Sequence, residues 1–127
     1  DDLVLFHRQG GYDFSSNCPD GVDNGYPDGI GAEAYQFDAL KSAWMTSINP
    51  EMREHPHFNF YENPDRFKLG IMQCRKEIRR PDIKIDVNTQ QEYNFVNDLY
   101  TYLYPRNPNF TIKDVIHWYD NIYHKED

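Results

Sequence analysis

An α/β fold is the expectation for this chain, and three observations carry it. Short β-type runs alternate with amphipathic helical patterns. Clusters of glycine, proline and aspartate mark the changes from one to the other. The 127 residues, 39% hydrophobic and 16% aromatic, supply enough apolar surface for one folded core. No repeat, low-complexity tract or linker interrupts the pattern, so residues 1–127 read as a single domain or half-domain.

The elements follow in order. Asp1 to Gln9 reads as a helix, with acids at its start and Gly10-Gly11 at its stop. Tyr12 to Asn17 is a short strand. The loop from Cys18 to Gly29 carries Asp-Gly, Asn-Gly and Pro-Asp-Gly turn signals. Ile30 to Phe37 reads as a second strand, and Asp38 as the cap of a helix with Leu40, Ala43, Trp44 and Ile48 on one face. Asn49-Pro50 is expected to close that helix. Glu51 to His55 is a short polar turn or helix broken by Pro56. Phe58 to Asn63 fits a helix or a strand equally well. Phe67 to Cys74 has strand character, and Arg75 to Arg80 is a charged linker.

In Pro81 to Thr89, alternation by two places Ile83, Ile85 and Val87 on a buried side and Lys84, Asp86 and Asn88 on the other. Thr89 opens the longest helix, through about Tyr104, with Tyr93, Val96, Leu99, Tyr100 and Leu103 as its apolar stripe. Thr111 caps a last helix in which Ile112, Val115, Ile116 and Tyr119 line up.

Composition narrows the function classes. The formal charge of −8 disfavours a polyanion-binding surface, so nucleic acid is not an expected partner, while a local phosphate site remains compatible. No apolar run approaches the roughly 20 residues of a membrane span, and Asp1-Asp2 is unlike the basic start of a signal peptide. A cytoplasmic protein with Cys18 and Cys74 as free thiols is expected, with a single disulfide left open.

Among the candidate sites, Asp86 and Asn88 at a strand end before a helix start suit a metal or a phosphate-bearing substrate. The alternative is that they only punctuate the strand and cap the helix. Asp20 to Asp28 lacks the ligand spacing of a calcium-binding EF-hand loop, so an ordinary turn cluster is expected there. His55-Pro56-His57 has no cysteine nearby to complete a zinc set. No nucleophile elbow or glycine-rich phosphate loop is present. Arg53, Glu54 and His55 set three hydrogen-bonding groups side by side. They suit a hydroxylated or carboxylated ligand, because arginine binds a carboxylate through two donors while glutamate accepts from hydroxyls. An exposed polar turn is the competing reading.

Seven pieces taken in order resemble the carboxy-terminal half of the cytidylyltransferases that activate acidic sugars, nearest to the spore-coat-polysaccharide type and related to the acylneuraminate and KDO types. They are Gly10 to Asn17, Tyr26 to Ile30 with Glu33, Phe37 to Leu40 through Trp44, Arg53-Glu54-His55, Asn63 to Leu69, Arg80 to Thr89, and Tyr104-Pro105. The resemblance implies half of a three-layer, GT-A-like nucleotide-diphospho-sugar transferase fold with a mixed sheet. It implies a homo-oligomer, dimerising through residues 31–68, and synthesis of a CMP-sugar from CTP and an acidic or amino sugar with Mg²⁺ as cofactor. Asp86 and Asn88 would lie near the metal, and Glu33, Arg53, Glu54 and His55 near the sugar. This chain departs from the pattern at three points. The family's amino-terminal half, with its nucleotide loop and first metal aspartate, falls upstream of Asp1. Its second metal aspartate falls at Asn88, and Gly31 stands where the spore-coat type often has aspartate. A non-catalytic carbohydrate-binding or dimerisation module that keeps the fold is the other expectation.

Overall fold

Gly11 ends the first helix in the left-handed conformation, φ 58°, where its N–H reaches the Arg8 carbonyl. That helix, α1 (Asp2–Gly10), opens the computed structural model, which describes residues 1–19 and 22–123. Asp20 and Gly21, part of the turn cluster expected between Asp20 and Asp28, lie outside the described residues. Contacts within the chain gather into two compact units. The first is Asp1–Val22 with Gly31–Gln73, and the second is Asp23–Ile30 with Cys74–Asp127.

The first unit is built on a mixed three-stranded sheet. β1 (Phe14–Ser16) is central, antiparallel to β2 (Glu33–Tyr35) and parallel to β3 (Leu69–Ile71). Phe14 lies opposite Tyr35 on one side and Leu69 on the other. The mixed helix-and-strand architecture is the α/β class expected. The strands are shorter than the β-type runs that announce them, because pairing is limited to the three residues β1 presents on each side. The core is aromatic. Fully buried Phe14 and Phe60 stack at 5.2 Å between centroids, and Phe67 packs on Phe60 at 4.5 Å.

Helix α2 (Phe37–Thr46) turns Leu40 and Ala43 to this cluster. Trp44 and Ile48, expected on the same face, are 56% and 96% exposed. Trp44 lies under the Arg53 guanidinium instead, and Ile48 falls beyond the helix end, where helical spacing no longer sets its direction. Gln36, not Asp38, is the residue before the first turn; Asp38 sits inside that turn, where an acid favours the helix dipole. Asn49 caps α3 (Pro50–Glu54) by accepting the Glu51 N–H at 2.9 Å, with Pro50 at the first helical position. Phe58 to Asn63 resolves as the end of a short helix, α4 (His57–Tyr61).

Buried Asn59 of α4 ties these helices together. Its amide donates to the Met52 carbonyl at 2.9 Å, and its oxygen accepts from Ser47 Oγ at 2.6 Å. A polar group in an aromatic unit is tolerated because it is satisfied on both ends.

In the second unit, a single 3₁₀ turn (Lys76–Ile78) stands where a charged linker was expected. Arg80 then binds Asp82 and Asp120, each at 2.7 Å, and lies 5.4 Å from the Tyr119 ring centre. Those carboxylate hydrogen bonds hold its guanidinium charged beyond the ordinary arginine range. The strand expected over 83–87 reduces to one parallel bridge between Asp28 and Lys84. Burial does follow the predicted alternation, but it fades from fully buried Ile83 through half-buried Ile85 to exposed Val87.

Helix α5 (Gln90–Leu103) starts on a reciprocal capping box between Thr89 and Glu92. Helix α6 (Ile112–Asn121) repeats the device with Thr111 and Asp114. Ile83, Leu99, Leu103, Val115 and Trp118 form the core between them. The stripe of α5 is rotated from the one expected. Tyr93 and Tyr100 are 55% and 50% exposed, whereas Phe95 and Tyr102 join Leu99 and Leu103. Both stripes have helical spacing, and the rings of Trp118 and Tyr123 select the one bearing Phe95. Among the described residues, no helix is long and apolar enough to cross a membrane, and Cys18 and Cys74 are both free thiols.

Candidate functional site

Two groups of candidate residues are assembled, one in each unit. In the second unit, the turn Tyr26-Pro27-Asp28-Gly29 is laid against residues 83–86. The Asp28 N–H donates to the Ile83 carbonyl and the Ile85 N–H to the Asp28 carbonyl, both at 2.9 Å. Gly29 has φ 94°, and a Cβ there would stand 2.6 Å from the Asp86 nitrogen, so only glycine fits this crossing. The chain then exits with Asp86 and Asn88 exposed just ahead of α5.

The hydrogen bonds at this exit are local. Asp86 accepts the Val87 N–H on one carboxylate oxygen at 3.0 Å and the Asn88 side-chain amide on the other at 2.7 Å. Glu92 accepts the backbone N–H groups of Asn88 and Thr89, both at 2.8 Å. The backbone hydrogen bond from Asn88, followed by the Thr89 hydroxyl, holds the Glu92 carboxyl below the usual carboxylate range; nearby Asp86 opposes this. The residues present do not fit the Mg²⁺ that the resemblance implies. A side chain facing a carboxylate at 2.7 Å must present its NH₂, so Asn88 turns a donor, not a ligand, to Asp86. Among the described residues, no three His, Cys, Asp or Glu side chains are grouped to hold a metal ion.

In the first unit, Glu33 is brought into a cluster with partners other than those its sequence neighbours suggest. One carboxylate oxygen accepts the Tyr35 hydroxyl, and the other lies 3.3 Å from His57 Nδ1. Burial first, and then the hydrogen bond and charge of Glu33, hold the Tyr35 hydroxyl protonated well beyond the usual phenol range. His57 packs edge-on to Phe58 at 4.5 Å, and His55 lies 5.7 Å from His57 between ring centres.

Arg53, Glu54 and His55 are not presented as one bidentate clamp. The Arg53 Nε donates to the Ser47 carbonyl at 3.1 Å and its guanidinium lies 5.2 Å from the Trp44 ring centre. Glu54 is largely exposed, with one carboxylate oxygen 4.0 Å from His55 Nε2. Of the other three candidate sugar contacts, His55 is joined to the Glu33 cluster through His57.

Sequence reasoning missed Tyr35 and His57 as partners of Glu33. The first was legible, since residues 33 and 35 of a strand share a face. The second was not, because no local signal brings α4 to β2. A carboxylate at Nδ1 orients the ring, since in a neutral imidazole it favours the tautomer with the proton on that nitrogen. Such a cluster provides hydrogen-bond donors and acceptors of both kinds in a small area, which is what a polyhydroxylated ligand requires.

No family model and no solved structure matches the chain. It is similar to an uncharacterized protein of Methanocaldococcus jannaschii, 30% identical over 71 residues. The aligned stretch is 56% of this chain and 29% of that protein, so the chain spans under a third of its relative's length.

Proposed function

We propose that this chain is the sugar-binding and dimerisation half of a cytidylyltransferase-like protein that handles an acidic sugar for a surface polysaccharide. The GT-A-like fold, the cytoplasmic location and the use of CTP with a complementary amino-terminal half belong to the same proposal. One observation carries it. Two pieces of the resemblance, Tyr26 to Ile30 and Arg80 to Thr89, lie far apart in sequence yet are laid side by side by the Asp28–Lys84 bridge. The M. jannaschii protein is about twice as long as this chain, which suits a half-length relationship.

Dimerisation would use the exposed apolar residues of α2, Phe37, Trp44 and Met45, with Ile48 just beyond its end. Phe60, within the 31–68 span, is in the interior of its unit. Asn88 favours a second reading, a carbohydrate-binding module that keeps the fold and has lost the chemistry, because an amide stands where a metal-holding carboxylate is expected.

Saturation-transfer NMR on the chain with a panel of acidic and amino sugars tests the proposal. Binding of an acidic sugar, weakened at least several-fold by Glu33→Gln, is the expected result; no binding by any member of the panel would sink it. The chain alone is expected not to bind CTP, since no phosphate-cradling loop is present and the net charge is −8. Pyrophosphate release on adding an amino-terminal half separates the catalytic reading from the module.

A further inference from the structure

We infer that the Asn88 amide takes the place of a divalent cation at the end of the 83–87 segment, so that the turn into α5 is held by the chain's own hydrogen bonds and is independent of metal. Two carboxylates, Asp86 and Glu92, are both hydrogen-bonded to Asn88 at this turn. A cation is one way to hold two such charges together; N–H donors are the other. Here N–H donors of the chain itself reach both carboxylates. Asp86 has one on each oxygen, from Asn88 Nδ2 and the Val87 backbone. Glu92 has the N–H groups of Asn88 and Thr89 and the Thr89 hydroxyl at 3.0 Å. Asn88 serves both carboxylates, one through its side chain and one through its backbone.

An aspartate at 88 would remove the side-chain donor and add a third negative charge beside the first two. That turn would need a cation to close. The residue at 88 therefore decides whether the turn is closed by the chain itself or by a metal. The inference takes from the proposed function only the choice of ion. Its test uses neither nucleotide nor sugar, so either can fail without the other.

Thermal unfolding of the full chain, of Asn88→Asp and of Asn88→Ala, at pH 7 and constant ionic strength, is followed in EDTA and then in rising Mg²⁺ or Mn²⁺. The parent Tm is expected to stay level. Asn88→Asp is expected to melt about 4–8 °C lower in EDTA and to recover with metal along a saturating curve. Asn88→Ala is expected to melt lower and to ignore metal. A saturable rise in the parent overturns the inference, and so does an Asn88→Asp protein that ignores metal. If Asn88→Asp fails to fold without metal, amide spectra of the parent with substoichiometric Mn²⁺ decide. Uniform weak broadening supports the inference, and selective loss of signals from residues 86–92 overturns it.

Discussion

The two units hold themselves together over different distances along the chain. In the second, most side-chain hydrogen bonds reach four residues or fewer: Asn88 to Asp86, Thr89 to Glu92, Thr111 to Asp114. Arg80 to Asp120 is a long one. In the first, long ties are added to short ones. Ser47 meets Asn59, Asn17 accepts the Ala32 N–H, Arg66 reaches Ser42 and Thr46, and Lys68 bonds both Asp13 and the Gly10 carbonyl. Short ties form as soon as the local backbone does, whereas long ones wait on tertiary packing and its loop-closure cost. The turn of Asp86, Asn88 and Glu92 accordingly belongs to the local unit. The Glu33–His57 cluster, closed between a strand and a helix, belongs to the other.

The largest effect is expected from breaking the aromatic unit at its centre. Phe60→Ala removes the ring that Phe14, Tyr35 and Phe67 all touch. It should cost about 3–5 kcal/mol in urea unfolding followed by near-UV circular dichroism. A cost below about 1 kcal/mol would mean that the cluster repacks and that the long ties are not organised around it.

Asn59→Leu is the next test. It leaves the Met52 carbonyl and Ser47 Oγ without the partner that joins α3 to α4. A loss of about 1–3 kcal/mol is expected. Sugar binding should fall with it if α4 then releases His57 from Glu33. Unchanged stability would show that solvent replaces these bonds and that the unit is held by its rings alone.

The smallest effects fall on the local unit. Thr89→Ala and Thr111→Ala each remove a cap, worth about 1 kcal/mol, and should lower helical circular dichroism without altering near-UV signals. The caps also set an acid response. Glu92 and Asp114 are held below the usual carboxylate range chiefly by backbone hydrogen bonds from Asn88 and Thr111 respectively. A depressed folded value contributes stability above the unfolded value of about 4 and loses it as pH falls through the folded one. Helicity should therefore hold from pH 7 to about 5 and decline on the acid side of about 4. The double Thr→Ala protein should show a shallower acid limb; an identical limb would mean that other carboxylates govern it.

Much of the second unit and little of the functional geometry of the first was legible in advance. Thr89 announced the start of α5, Gly10-Gly11 the end of α1, and Asp86 with Asn88 their shared side of the chain. These are relations within a few residues, set by backbone stereochemistry and by the reach of one side chain. The buried stripe of α5 was not decided at that range. Tyr93, Val96 and Tyr100 fit helical spacing as well as Phe95, Leu99 and Tyr102 do, and the rings of α6 distinguish them.

Residue types and local order were thus determined by the sequence alone: an α/β alternation, helix ends, turn positions and an acid–amide pair before α5. Tertiary structure decided which face of each helix is buried, how far each strand pairs, and that Glu33 meets His57 while Arg53 turns to Ser47 and Trp44. The physical reason is reach. A cap or a turn is satisfied by atoms already adjacent along the chain, but a buried face and a distant partner exist only once another element has arrived to complete them.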